Sequence, residues 1–177
     1  MNSLAPSRVW MMRAAFTLLI LIILFFHLLP LQTAPGGIIW PNLILAFSLS
    51  WSVRRPQYVP TVLLACMFFL ADFLLQRPPG LWAMLALVAC EHVKSQARSL
   101  RDASITTEIA FILAWIVGIS ISYRIILAIL YVEVPPVGPA LLQIVATVAA
   151  YPFVIVVTHA FMGVRKATPN DTGTRGS

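Results

Sequence analysis

Residues 68–84 read FFLADFLLQRPPGLWAM. Two apolar runs flank Arg77, Pro78, Pro79 and Gly80, and the first run carries an acid, Asp72. Proline lacks an amide donor and glycine reaches backbone conformations that other residues avoid, so RPPG ends one helix and opens the next. An aspartate at the centre of a membrane helix costs about 2.5–3.5 kcal/mol on insertion scales. Asp72 must therefore do chemistry or hold something together.

The rest of the chain has the same texture. Hydrophobic residues fill 60% of its 177 positions and charged residues only 10%, against roughly 25% charged in a globular domain. Several apolar runs approach the roughly 20 residues that cross a bilayer. The expected fold is all-α: a polytopic membrane protein with six transmembrane helices in a compact bundle. Residues 1–163 form one membrane domain, with spans at about 11–29, 38–53, 58–76, 79–95, 105–130 and 138–162. Residues 164–177 read as a disordered cytoplasmic tail. The second span is short and carries Pro41 and Asn42, which points to a tilted, kinked or partly re-entrant segment. The first run is too long for a signal-peptide core and lacks a small-x-small cleavage site, so it reads as a retained span. Cys66 and Cys90 both fall inside spans, as packing residues rather than a disulfide framework or zinc site.

A formal charge of +6 would point a soluble protein toward nucleic acid. Here the cations cluster between apolar runs and set orientation instead, so no nucleic-acid partner is expected. With the N-terminus inside, Arg8, Arg13, Arg54, Arg55, Lys94, Arg98, Arg101, Arg165, Lys166 and Arg175 all fall on the cytoplasmic side. Only Arg77 and Arg124 remain for the other side. Both termini are then cytoplasmic. Trp10, Trp40, Trp51, Tyr58, Trp82 and Tyr131 lie near span ends, where amphipathic rings favour the interface. Trp115 lies deeper. On the fifth span Ala110, Ala114, Gly118 and Ser122 recur every four residues, a seam that allows close helix approach. Packing within the bundle is the first expectation for it and a partner's span the second.

Helical spacing places Asp72 on a face with Ala65, Phe69 and Gln76, expected to point into the bundle. A structural carboxylate is favoured over a proton relay, because no second acid appears at similar depth. Arg124 lies at a comparable depth on the fifth span and is the expected partner. Its alternative is snorkelling to the interface. The polar loop EHVKSQARSLRD (91–102) offers Glu91, Lys94, Arg98 and Arg101. With Arg54 and Arg55, these are candidate contacts for anionic lipids or a cytoplasmic partner. His27, His92 and His159 show no metal-ligand spacing, and the chain carries no nucleophile–base motif or phosphate loop. No enzyme activity, metal or cofactor is expected. A small-molecule transporter or substrate-binding membrane subunit is the alternative to a scaffold.

WPNLILAFSLSWSVRRP (40–56) and LADFLLQRPPGLWAM (70–84) resemble the bacterial rod shape-determining protein MreD family. Pro41, Arg55 and Pro56 match its proline-led stretch and basic-proline junction. Asp72, Pro78, Gly80 and Ala83 match its signature of an acid, a Pro-x-Gly turn and a small-residue helix. Phe68 and Gln76 stand where that family often has glycines one turn before and after the acid. The resemblance implies a non-catalytic scaffold of the cell-elongation complex in the bacterial inner membrane. It implies binding to an MreC-like single-span protein, and assembly with a RodA-like glycosyltransferase, a penicillin-binding transpeptidase and, directly or indirectly, the MreB filament. It also implies a six-helix arrangement like the S-component fold of energy-coupling transporters.

Overall fold

The structure, a computed structural model, describes residues 6–29, 40–132, 134 and 136–162. Every regular element among them is helical: α1 (Pro6–Leu28), α2 (Leu43–Arg54), α3 (Thr61–Leu74), α4 (Leu81–Ser95), α5 (Ala97–Asp102), α6 (Ile105–Ile129) and α7 (Val137–Met162). A single 3-10 turn, Pro56–Tyr58, links α2 to α3.

Among the described residues, three helices are long and apolar enough to cross a membrane: Ser7–Leu28, Ile105–Ile129 and Val137–His159. The chain thus has the character of an integral membrane protein. The remaining long helices, α2, α3 and α4, hold 12, 14 and 15 residues. At 1.5 Å per residue they reach about 18–23 Å, short of a hydrocarbon core about 30 Å thick.

The second predicted span is the centre of the fold. Residues 44–54 are all buried, including Ser48, Ser50, Ser52 and Arg54. A helix wrapped on all sides has no solvent or lipid face to present, and α2 packs against α1, α4, α5 and α7. Its start is set by Asn42, whose side chain accepts from the Leu45 amide at 3.2 Å, the N-cap bond that satisfies an orphan donor. The Asn42 amide in turn donates to Thr147 Oγ1 on α7 at 2.9 Å. Trp51, expected at the interface, is buried, with its ring 5.2 Å from that of Phe16 on α1. Tyr58 and Trp82 are buried as well.

α3 and α4 form a tight hairpin. The α3 C-terminus closes with the Arg77 amide bonded to the Asp72 carbonyl at 3.0 Å and Gln76 at φ +53°. That is a Schellman end, with glutamine at the left-handed position glycine normally takes. Gly80, at φ +87°, starts α4. α6 ends the same way, through Tyr131 at φ +54° and a Val132 amide bond to the Leu127 carbonyl.

Buried positions on α3 are Leu64, Phe68, Ala71 and Asp72. The expected inward stripe of Ala65, Phe69, Asp72 and Gln76 is therefore rotated. Phe69 is 54% exposed and Gln76 is exposed; only Asp72 is buried. The α6 seam is corrected too. Ile112, Ile116 and Ile119 face the core, whereas Ala110 and Ala114 are exposed and Gly118 and Ser122 half-buried. A Cβ built on Gly118 meets nothing within 4 Å, so no described helix packs closely on the seam there. Cys90 is buried, but Cys66 faces outward.

Candidate functional site

Two polar constellations sit at opposite ends of α2, and both differ from the pairing expected of the sequence. The expected Asp72–Arg124 ion pair does not form among the described residues. Asp72 Oδ2 instead accepts from the Gly80 amide at 3.0 Å and the Ala83 amide at 3.0 Å. A carboxylate on α3 thus caps α4, where exposed amides and the helix dipole favour negative charge. Backbone amides eight and eleven residues away neutralise a need that would otherwise require a cation. Asp72, Gly80 and Ala83 are one bonded unit. Pro78 belongs to the same turn, its carbonyl accepting from the Leu81 amide at 3.3 Å.

Arg124 points elsewhere. Its Nη1 lies 3.5 Å from the Pro136 carbonyl oxygen, and it lines a cleft of about 340 Å³ between α2, the α3–α4 turn, α6 and α7. Asn42, Arg77, Tyr123, Gln143 and Thr147 contribute the other prominent polar groups, over a floor of Leu45, Ile116, Ile119 and Ile144. The Arg77 guanidinium stacks 5.1 Å above the Trp82 ring, a cation–π contact that fixes its position. Gln143 Nε2 donates to the Trp40 carbonyl at 3.4 Å.

At the other end of α2 the polar groups are enclosed. Arg54 is 3% exposed and Glu108 is fully buried, with Nη1 and Oε1 at 2.8 Å. The same guanidinium nitrogen donates to Ser50 Oγ at 3.2 Å. Tyr151 on α7 donates its hydroxyl to Glu108 Oε1 at 3.1 Å. Arg54 is thus no lipid or partner contact, as its place beside the basic loop had implied, but the centre of a clasp joining α2, α6 and α7. Serine at position 50 leaves the space the guanidinium needs. Ser104 caps α6 one turn before Glu108, accepting from the Thr107 amide at 3.2 Å. Glu108 therefore sits in the first turn, where a carboxylate is favoured.

The remaining candidate contacts are mixed. Glu91 Oε1 pairs with Lys94 Nζ at 2.7 Å and accepts from Thr61 Oγ1 at 2.8 Å, so this pair ties α4 to the start of α3. Arg98 is exposed and Arg55 half-buried, with the Arg55 amide closing α2 on the Trp51 carbonyl. Pro41 precedes the α2 cap and Pro56 opens the 3-10 turn. The Arg101 side chain and the 164–177 tail lie outside the described residues. His92 stacks on Phe111 with ring centroids 6.0 Å apart and meets the half-buried Trp115 at 5.1 Å. No group of metal-ligating side chains occurs among the described residues.

Sequence reasoning missed Glu108 and Tyr151. A signal for the first was present: Glu108 is an acid just inside the fifth span, and Arg54 ends the second span on the same predicted side. The depth matching that linked Asp72 to Arg124 would have linked these two. The Arg54–Arg55 pair reads in sequence as an orientation signal, which masks Arg54 as the partner of an acid. The chain matches no protein-family model, no curated protein and no solved structure.

Proposed function

We propose that this chain is a non-catalytic membrane scaffold of the bacterial cell-elongation complex. In this reading it crosses the inner membrane six times with both termini in the cytoplasm. It binds an MreC-like single-span protein and links MreB filaments to the RodA-like glycosyltransferase and its penicillin-binding transpeptidase. The observation that carries the reading is the resemblance of LADFLLQRPPGLWAM to the MreD family. The bonding of Asp72 to Gly80 and Ala83 supports it, because it gives those motif residues a shared physical task. Two features suit a scaffold. The α6 seam of Ala110, Ala114, Gly118 and Ser122 is turned away from the core at its first two positions, available to a partner's span. Arg98 is exposed and can meet anionic lipid headgroups.

Affinity capture from gently solubilised membranes tests the proposal. MreC-like and wall-synthesis proteins should be recovered with the chain, and recovery should fall when Ala114 and Gly118 are both changed to leucine. Capture of the chain without any of them overturns it. The cleft favours a second reading, a transporter or substrate-binding subunit. Stoichiometric co-purification of a small molecule with the chain free of protein partners would select that reading.

A further inference from the structure

The cleft holds two arginines, Arg77 and Arg124, and no carboxylate lines it among the described residues. Two cations on the wall of one cleft both attract an anion that enters it. Asp72, the acid nearest to Arg77 in sequence, spends its Oδ2 on the amides of Gly80 and Ala83, and attracts Arg77 only through space. Arg124 makes no ion pair with a described residue; its bond is to the Pro136 carbonyl.

Backbone charge adds to this. Asn42 and Leu45 belong to the N-terminal end of α2, and Pro139 and Ala140 to that of α7, and all four line the cleft. Each helix N-terminus carries roughly half a positive charge, so two helix N-termini and two arginines line the same cleft. Tyr123 and Gln143 supply further hydrogen-bonding groups, and the floor is apolar.

We propose that this cleft binds a phosphate group through Arg77 and Arg124. A phosphate matches two guanidiniums in charge and geometry better than a single carboxylate does. The carrier is a lipid or a free phosphate, and the floor of Leu45, Ile116, Ile119 and Ile144 favours an amphiphile whose apolar part lies along it. This site is independent of the scaffold reading and of any partner protein.

Native mass spectrometry of the purified chain in a neutral detergent tests the lipid source, with dioctanoyl phosphatidic acid as probe and dioctanoylglycerol as its phosphate-free control. Equilibrium dialysis with inorganic phosphate tests the free anion. One phosphatidic acid should bind per chain, at least tenfold more tightly than dioctanoylglycerol. Arg124→Gln and Arg77→Gln should each weaken it at least tenfold, and Arg8→Gln, at an exposed site outside the cleft, should leave it unchanged. Arg77 braces the α3–α4 turn, so Arg124→Gln at an unchanged unfolding midpoint is the deciding variant. Phosphate binding with the same dependence on Arg124 also supports the site and assigns the free anion. The proposal fails if neither probe binds, if binding survives Arg124→Gln, or if dioctanoylglycerol binds equally well.

Discussion

The two ends of α2 use the same kind of side chain in opposite ways. At the Arg54 end a guanidinium is sealed among Ser50, Glu108 and Tyr151, with its counter-charge 2.8 Å away. At the Asn42 end two guanidiniums border an open cleft with no described carboxylate on its wall. A buried charge without a partner is expensive, so the closed end required an acid and a hydroxyl to assemble around Arg54. The open end holds Arg77 against the Trp82 ring and leaves Arg124 half-buried, and no described acid encloses either. An arginine in an apolar chain is therefore structural or ligand-directed according to its enclosure, not its position along the chain.

The sharpest way to break this contrast is at the closed end. Glu108→Gln leaves Arg54 buried without a counter-charge, and removing one partner of such a pair costs about 3–5 kcal/mol. The unfolding midpoint in mixed micelles should fall accordingly. Arg54→Met combined with Glu108→Leu should recover most of the loss, because the double replacement leaves no charge behind. Were the double variant as unstable as Glu108→Gln, the pairing would not be the source of the stability.

Next in size is the hairpin. Asp72→Ala strips the cap from α4, which costs about 1–2 kcal/mol. Asp72→Asn should lose less, since its carbonyl still accepts from an amide. Exchanging the charges in Asp72→Arg with Arg124→Asp should rescue nothing, because the two side chains do not meet. Recovery of the midpoint by that exchange would restore the ion pair that the observed geometry denies.

The hairpin also shows what was legible in the residues and what was not. Breaks were legible: RPPG interrupts amide bonding wherever it occurs, and Arg77–Gly80 does separate two helices. Faces were not. In a helix surrounded by lipid, outward residues are as apolar as inward ones, as Phe69 at 54% and Phe73 at 70% exposure illustrate. Periodicity then has little contrast to read, so Asp72 was grouped with Phe69 and Gln76 rather than with Leu64, Phe68 and Ala71. Capping across eight and eleven residues is a tertiary contact that no local pattern encodes. α2 was legible as a short segment broken by Pro41, but not as the buried axis of the bundle. Its serines and Arg54 look like the polar flank of a span until four other helices are placed around them.

Gln76 gives a smaller and opposite effect. Its φ of +53° is one that L-residues other than glycine adopt at a cost of about 1–2 kcal/mol. Gln76→Gly should therefore stabilise the chain, by about 1 kcal/mol after the entropy glycine adds to the unfolded state. Glutamine tolerates this turn but does not favour it. Gln76→Ala should bring no such gain, since alanine meets the same left-handed restriction.

The smallest effect belongs to the open end and makes the contrast with Arg54 sharpest. Arg124 is half-buried, and its one hydrogen bond, to the Pro136 carbonyl, spans 3.5 Å, the weak limit of such contacts. The other guanidinium in the cleft, Arg77, carries the same sign. Arg124→Gln should shift stability by no more than about 0.5 kcal/mol, because the bond it loses is weak. Phosphatidic acid or inorganic phosphate, whichever the cleft binds, should at saturation stabilise the parent chain but not the variant. A large loss on Arg124→Gln in phosphate-free buffer would mean that the cleft is held together as the clasp is, and the two ends of α2 would no longer differ in kind.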